Sequence, residues 1–255
     1  TLPRASGEQN VLFTASSRVE SLSGGMVLSP AGHAVLEGEL VALGRYADIV
    51  INAKQSLEIR GRLEAQRDIL ATAGTSASIN PLETSLATLG TSELITRDPG
   101  GRIVLTGLNN VLIDSVIGRG NPQLARMDIT SQEGTLTLAA RAGWLETGAL
   151  MTLRGDDVVV AGVVRSSLAT APTYDDEVVI EATRDVALGG SFSLAGSLSV
   201  TAGRHITAPN LSLMASASGQ HLILGAKGNI DLGTSDNSGG VVMAGDALLT
   251  VSAAG

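Results

Sequence analysis

The stretch from 178 to 209, VVIEATRDVALGGSFSLAGSLSVTAGRHITAP, contains one short pattern twice. Apolar, any, apolar, any, Ala runs through Val178-Val179-Ile180-Glu181-Ala182 and again through Leu198-Ser199-Val200-Thr201-Ala202, twenty residues on. The same unit recurs as Ile49 to Ala53, Leu136 to Ala140 and Leu222 to Ala226. After each Ala come a few polar or small residues and a second short strand, as in SLEIRG, WLETG, DVALGG, HITAP and NIDLG. Strict alternation over four or five residues marks strands with one buried face, and the Gly, Asn, Asp and Ser between them mark turns. A period near 20 residues suits a solenoid, in which each rung of two or three strands stacks on the next at about 4.8 Å. A single rung cannot bury its apolar face, so the chain must repeat it.

Composition fits such a thin core. Hydrophobic residues make up 44% of 255, yet there are only two Phe, two Tyr and one Trp, against 31 Gly. Val, Ile and Leu can stack in ladders along an axis where rings are hard to place at every level. Ala or Gly fits the confined corners of a narrow coil, where Leu would force the turn open.

Removing the segments that lack the repeat leaves ten or eleven expected rungs in one continuous domain over 1–255, a rod on the order of 50 Å long. These segments are 75–101, TSASINPLETSLATLGTSELITRDPGG, with a short helix expected around Leu82 to Leu89; 165–177, RSSLATAPTYDDE; and the smaller loop 233–240, GTSDNSGG. Residues 10 to 45 are less regular but still read as rungs. The chain opens on Thr1, as a processed or excised segment would. It stops at DALLTVSAAG, midway through another apolar-alternating unit, so the rod is expected to continue.

The net charge of −8 and the lack of any Lys/Arg run oppose nucleic acid as a partner, because phosphate binding needs a basic surface. Cysteine is absent, which leaves no disulfide or thiolate metal site and suits a chain exported unfolded. No apolar run is long enough to span a membrane as a helix, and any secretion signal is expected to be absent or already removed.

The units DIVINAKQSLEIRGRLEAQRDI, MDITSQEGTLTLAARAG and LSVTAGRHITAPNLSLMASASGQHLILGAKGNIDLG resemble the repeats of the filamentous-haemagglutinin family of large bacterial exoproteins. In those repeats, too, an apolar-alternating strand runs to Ala-x-x-x-Ile/Leu and then Gly. The resemblance covers about two thirds of the chain. It implies a right-handed parallel β-helix and export to the cell surface through a partner outer-membrane transporter. It also implies a role in adhesion, biofilm or toxin display, with a host or neighbouring-cell receptor or glycan as partner.

Two other functions compete with the adhesive rod. A carbohydrate-active β-helix, lyase, hydrolase or tail-spike, would need paired carboxylates. Asp156-Asp157 beside a Gly turn and Asp175-Asp176-Glu177 at the end of an insertion supply pairs, with Tyr174 as a sugar platform. Asp beside Gly also simply makes turns, and the few aromatics supply a sugar groove poorly, so no catalytic residue is assigned and no enzyme activity is expected. A homopolymeric filament or sheath, built by self-association along the axis, is the other alternative.

No cofactor or metal is expected; among acidic turns, Asp156, Asp157, Asp175 and Asp176 are the candidates for Ca²⁺ through carboxylates and carbonyls. His33, His205 and His221 show no ligand spacing, and His205 and His221 read as starts of equivalent strands. Asn210-Leu211-Ser212 is a formal glycosylation sequon. Binding residues are sought in the insertions, at Tyr174, Asp175, Asp176, Glu177, Asp236 and Asn237, because loops on a rigid scaffold are where recognition collects.

Overall fold

The computed structural model describes residues 10–74, 84–118, 124–140, 143–148, 150–166, 177–209, 212–215, 221–233, 240–243 and 248–254. Among these the regular elements are all strands, and every strand pairing is parallel. The chain winds as a β-solenoid of three faces per rung.

The first face is a ten-stranded sheet that starts at Met26–Leu28 and ends at Leu248–Ala253. The second face runs from Val11–Phe13 through Leu57–Ile59, Asp157–Val160 and Val186–Leu188 to Ile230–Asp231. The third runs from Arg18–Ser21 through Arg62–Ala65 and Trp144–Thr147 to Gly240–Met243. The second and third faces belong to one 18-stranded sheet because two long strands, Thr84–Thr96 and Asn110–Ile117, run through the corner between them.

Alternation along each strand converts directly into columns along the axis. On the first face Ile49, Ile69, Ile103, Met127, Met151, Val178, Leu198 and Leu222 stack inward in register. Two residues on, Ile51, Ala71, Leu105, Ile129, Leu153, Ile180, Val200 and Leu224 form a second column, and all of these side chains are buried. The next inward position is the small one: Ala53, Ala73, Gly107, Ser131, Gly155, Ala182, Ala202 and Ala226. This is the corner column that the repeated Ala announces. Among the described aromatics Phe192 alone is fully buried, on the third face.

A second column of small residues lines the corner between the second and third faces. In register it reads Gly38, Gly61, Ser92, Ser115, Gly143, Gly162, Gly190. A Cβ on Gly61 would lie 1.9 Å from the Gly38 carbonyl oxygen, and one on Gly190 2.2 Å from that of Gly162, so the backbones touch there. Where Ser replaces Gly the chain does not turn sharply, and these are the two levels at which one strand serves both faces.

Several expectations change. The helix around Leu82 to Leu89 does not form: from Thr84 on, the chain is strand, pairing with Leu57–Ile59 on one side and Asn110–Ile117 on the other. A helix there would leave both ladders without a partner, and Leu86 and Thr88 instead fill inward positions. The insertion expected at 75–101 therefore reduces to 75–83, which lies outside the described residues, followed by strand and a turn in which the Gly101 N–H reaches the Asp98 carbonyl at 3.0 Å. Arg165 and Ser166 end strand Val163–Ser166, and Glu177 opens strand Glu177–Ala182; residues 167–176 and 234–239 lie outside the described residues.

The unit Leu136 to Ala140 is not a copy of the others, since Leu136 and Leu138 sit on the second face while the remaining units lie on the first. The 20-residue spacing holds from Ile49 to Ile69 and from Val178 to Leu198. It widens to 24 from Ile103 to Met127 and from Met127 to Met151.

Candidate functional site

The corner that follows the first face carries Asp156, Asp157, His33 and His205 among the polar side chains singled out in the sequence. There the small column ends each strand, a few residues turn the chain, and the second face begins. In most rungs three residues make that turn: Lys54 to Ser56 between Ala53 and Leu57, and Thr183 to Asp185 between Ala182 and Val186.

Two adjacent rungs depart from this. Between Ser131 and Leu136 stand Gln132, Glu133, Gly134 and Thr135, whereas between Gly155 and Val158 there are only Asp156 and Asp157. The four-residue turn therefore projects beneath the two-residue one, and the missing length opens a groove of about 530 Å³. Thr130, Gln132, Glu133, Arg154, Asp156 and Thr183 are among its lining. Gly155 lies at its floor, and a Cβ there would be 2.7 Å from the Asp157 carbonyl oxygen, so the turn can be this short only with glycine.

Asp156 and Asp157 are neighbours in sequence with different tasks. Asp156 faces the groove and accepts the Thr183 hydroxyl at 2.6 Å. Asp157 faces the next rung: its Oδ1 accepts the Asp185 backbone N–H and the Arg184 Nε, each at 3.2 Å, and its Oδ2 pairs with the Arg184 Nη2. That hydrogen bond, and then the carboxylate's charge, raise the Arg184 pKa above its ordinary value. Asp185 repeats the arrangement one level on, accepting the His205 N–H at 3.1 Å and the Arg204 guanidinium at 2.5 Å. The row ends on His205, whose Nδ1 accepts the Asn229 N–H at 3.0 Å.

An equivalent row precedes the first face. Asp48 accepts the Asp68 N–H at 3.2 Å and Arg67 at 2.6 and 2.9 Å; Asp68 accepts the N–H and guanidinium of Arg102. Hydrogen bonds donated to Asp48 and Asp68 raise the pKa values of Arg67 and Arg102. In each case a side-chain oxygen takes a backbone donor of the next rung, extending the ladder by one bond and fixing register.

The sequence candidates thus separate. Asp157 is committed to holding rungs together, and Asp156 alone of that pair lines the groove. Tyr174, Asp175, Asp176, Asp236 and Asn237 lie outside the described residues, and of Glu177 only the backbone, paired with Ser197, is described. Among the described residues no group of three or more His, Asp or Glu side chains is placed to hold a metal ion. His205 and His221 are not equivalent: His221 opens a first-face strand, its N–H reaching the Ser197 hydroxyl at 3.1 Å, while His205 precedes the second-face strand Ile206–Thr207. His33 hydrogen-bonds the Ser56 hydroxyl at 2.6 Å, a rung-to-rung contact.

The unequal turns were not recognised in the sequence, although SQEGTL set beside GDDV displays them once both are aligned on their inward residues. The Arg–Asp rows were missed for the same reason, since RD at 67–68 and 184–185 acquires meaning only from the Asp one rung earlier.

These features define a parallel β-solenoid whose side surface is shaped by corner length. No known protein family, no curated protein and no solved structure matches the chain.

Proposed function

We propose that the chain is a structural and adhesive rod of a secreted bacterial cell-surface exoprotein of the filamentous-haemagglutinin type, serving adhesion, biofilm or extracellular fibre formation. The observation that carries this reading is the unbroken parallel ladder from Met26–Leu28 to Leu248–Ala253, one inward column per position with no interruption of register on the first face. Such a body is long, stiff and laterally regular, and its variable parts are confined to corners. Weak contacts repeated along it add up to avidity. Its partners in this reading are a receptor or glycan on a host or neighbouring cell and, during export, an outer-membrane transporter. Among the described residues no helix is long and apolar enough to cross a membrane.

A second reading is axial self-association into a filament or sheath, in which parallel rungs of one chain pair with those of the next through backbone groups.

Negative-stain electron microscopy over a concentration series, with binding to intact cells measured in parallel, tests both. Rods of fixed length that bind cells uphold the adhesive reading; fibres that lengthen with concentration favour the filament. Fixed rods that bind no cell surface count against adhesion.

A further inference from the structure

We infer that the groove between the corners at Gln132–Glu133 and Asp156 is a binding site for a neutral, hydroxyl-rich saccharide segment. The inference rests on the adhesive reading for its biological use, but its chemistry stands on the groove itself.

The first argument is shape. A solenoid with equal corners has a flat side. Here a turn of four residues, Gln132 to Thr135, lies beneath a turn of two, Asp156-Asp157, followed by one of three, Thr183 to Asp185. The resulting groove of about 530 Å³ falls in the range of small-ligand sites, about 300–1,000 Å³, and is bounded by three successive rungs. It is built on strand ends rather than on a long loop, so it exists before any ligand arrives.

The second argument is hydrogen-bonding capacity. In a regular corner the turn carbonyls accept N–H groups from the rung above: Gly203 N–H goes to Ala182 and Arg204 N–H to Arg184. The long turn is covered only at its Gly134 end. Gly134 accepts the Asp156 N–H at 2.8 Å, but among the described residues no N–H reaches the carbonyls of Gln132 or Glu133. The Glu133 side chain is exposed and makes no ion pair among the described residues. The residues lining the groove therefore carry acceptors that meet no donor among the described residues: the carbonyls of Gln132 and Glu133, the Glu133 carboxylate and the second oxygen of Asp156. A ligand carrying many O–H donors matches it.

The third argument is charge. Glu133, Asp156 and Glu181 line the groove with one cation, Arg154, and that cation is already paired with Glu181 at 2.5 Å. A uronate or sulfated chain would meet uncompensated carboxylates, whereas an uncharged sugar would not.

The test uses the whole chain, titrated by saturation-transfer NMR and calorimetry with neutral tetrasaccharides of β-1,4-glucose, α-1,4-glucose and β-1,4-mannose, and with tetragalacturonate as the acidic counterpart. At least one neutral tetrasaccharide is expected to saturate, and tetragalacturonate to bind at least tenfold more weakly. E133A removes one charged acceptor and is expected to weaken binding about three- to tenfold. T130W fills the groove from its rim and is expected to abolish binding; R18A, at a distant rung, leaves it unchanged. Each variant is checked for an unaltered far-UV spectrum and melting curve.

The inference is overturned if no neutral tetrasaccharide saturates the folded protein, if T130W binds as the parent does, or if the acidic sugar binds better. Cell binding that survives in T130W would sink this site while leaving the adhesive reading standing. Saccharide binding by a protein that adheres to no cell would do the reverse.

Discussion

Asp68 holds Arg102 from two sides: one carboxylate oxygen lies 3.0 Å from the Arg102 backbone nitrogen and the other 2.6 Å from its Nη2, although the residues are 34 positions apart in sequence. The Asp68 side chain is 3% exposed while that of Arg102 remains half in solvent. A buried carboxylate is tolerated here because two donors of the next rung meet it. D68A is expected to lower stability by about 2 kcal/mol, and D68N, which keeps an acceptor for the N–H, by about 1 kcal/mol. Denaturant unfolding followed by far-UV circular dichroism checks the order of the two. Equal losses would mean that the backbone bond contributes nothing.

Glu64 supplies the acid sensitivity. Burial pushes its carboxyl up, but hydrogen bonds from Arg97 and Arg62, with their charges, outweigh that and leave it below the ordinary value of 4.5. A carboxyl depressed on folding contributes stability that is fully present above its unfolded pKa and is lost as the pH falls through the folded one. The parent should therefore lose stability below about pH 4.5, and E64Q, already weaker at pH 7, should lose less over the same interval. Denaturation midpoints at pH 7, 4.5 and 3 measure the difference, and parallel curves for the two proteins would refute the assignment.

Backbone contact at the glycine corner gives a steric prediction. A Cβ on Gly162 would stand 2.2 Å from the Gly143 carbonyl oxygen, whereas one on Gly189 would meet nothing within 4 Å. G162A is expected to cost about 3 kcal/mol and G189A to stay within about 0.5 kcal/mol of the parent. Thermal melts of the pair test this, and an unperturbed G162A would show that adjacent rungs separate at no cost.

The serines in that same column behave oppositely. Ser115 is fully buried, and its hydroxyl finds no hydrogen-bond partner among the described residues; Ser92 and Thr88 share this condition. An unpaired buried hydroxyl is a liability that an apolar side chain of similar size removes. S115A is expected to be neutral or to stabilise by up to about 1 kcal/mol. A loss above 1 kcal/mol in urea unfolding would mean that the hydroxyl is satisfied after all, by bound water.

The alternation around Ile49, Val178, Leu198 and Leu222 and the Ala that closes each unit carried the fold in the sequence itself. Period-two burial requires strands, short strands without a partner require stacking, and a confined corner requires Ala or Gly. Those are local demands, and a single chain of residues states them fully.

Tertiary structure alone decided the rest. Alternation is the same on all three faces, so Leu136-Thr137-Leu138 could not be told from Val178-Val179-Ile180 until register placed them on different sides. Thr84–Thr96 became strand because two neighbouring ladders needed its backbone, a demand made by residues at 57–59 and 110–117 rather than by its own side chains. The groove is the clearest case. Gly155-Asp156-Asp157 reads as an ordinary turn in isolation, and it becomes one wall of a cavity only because the turn stacked beneath it is two residues longer.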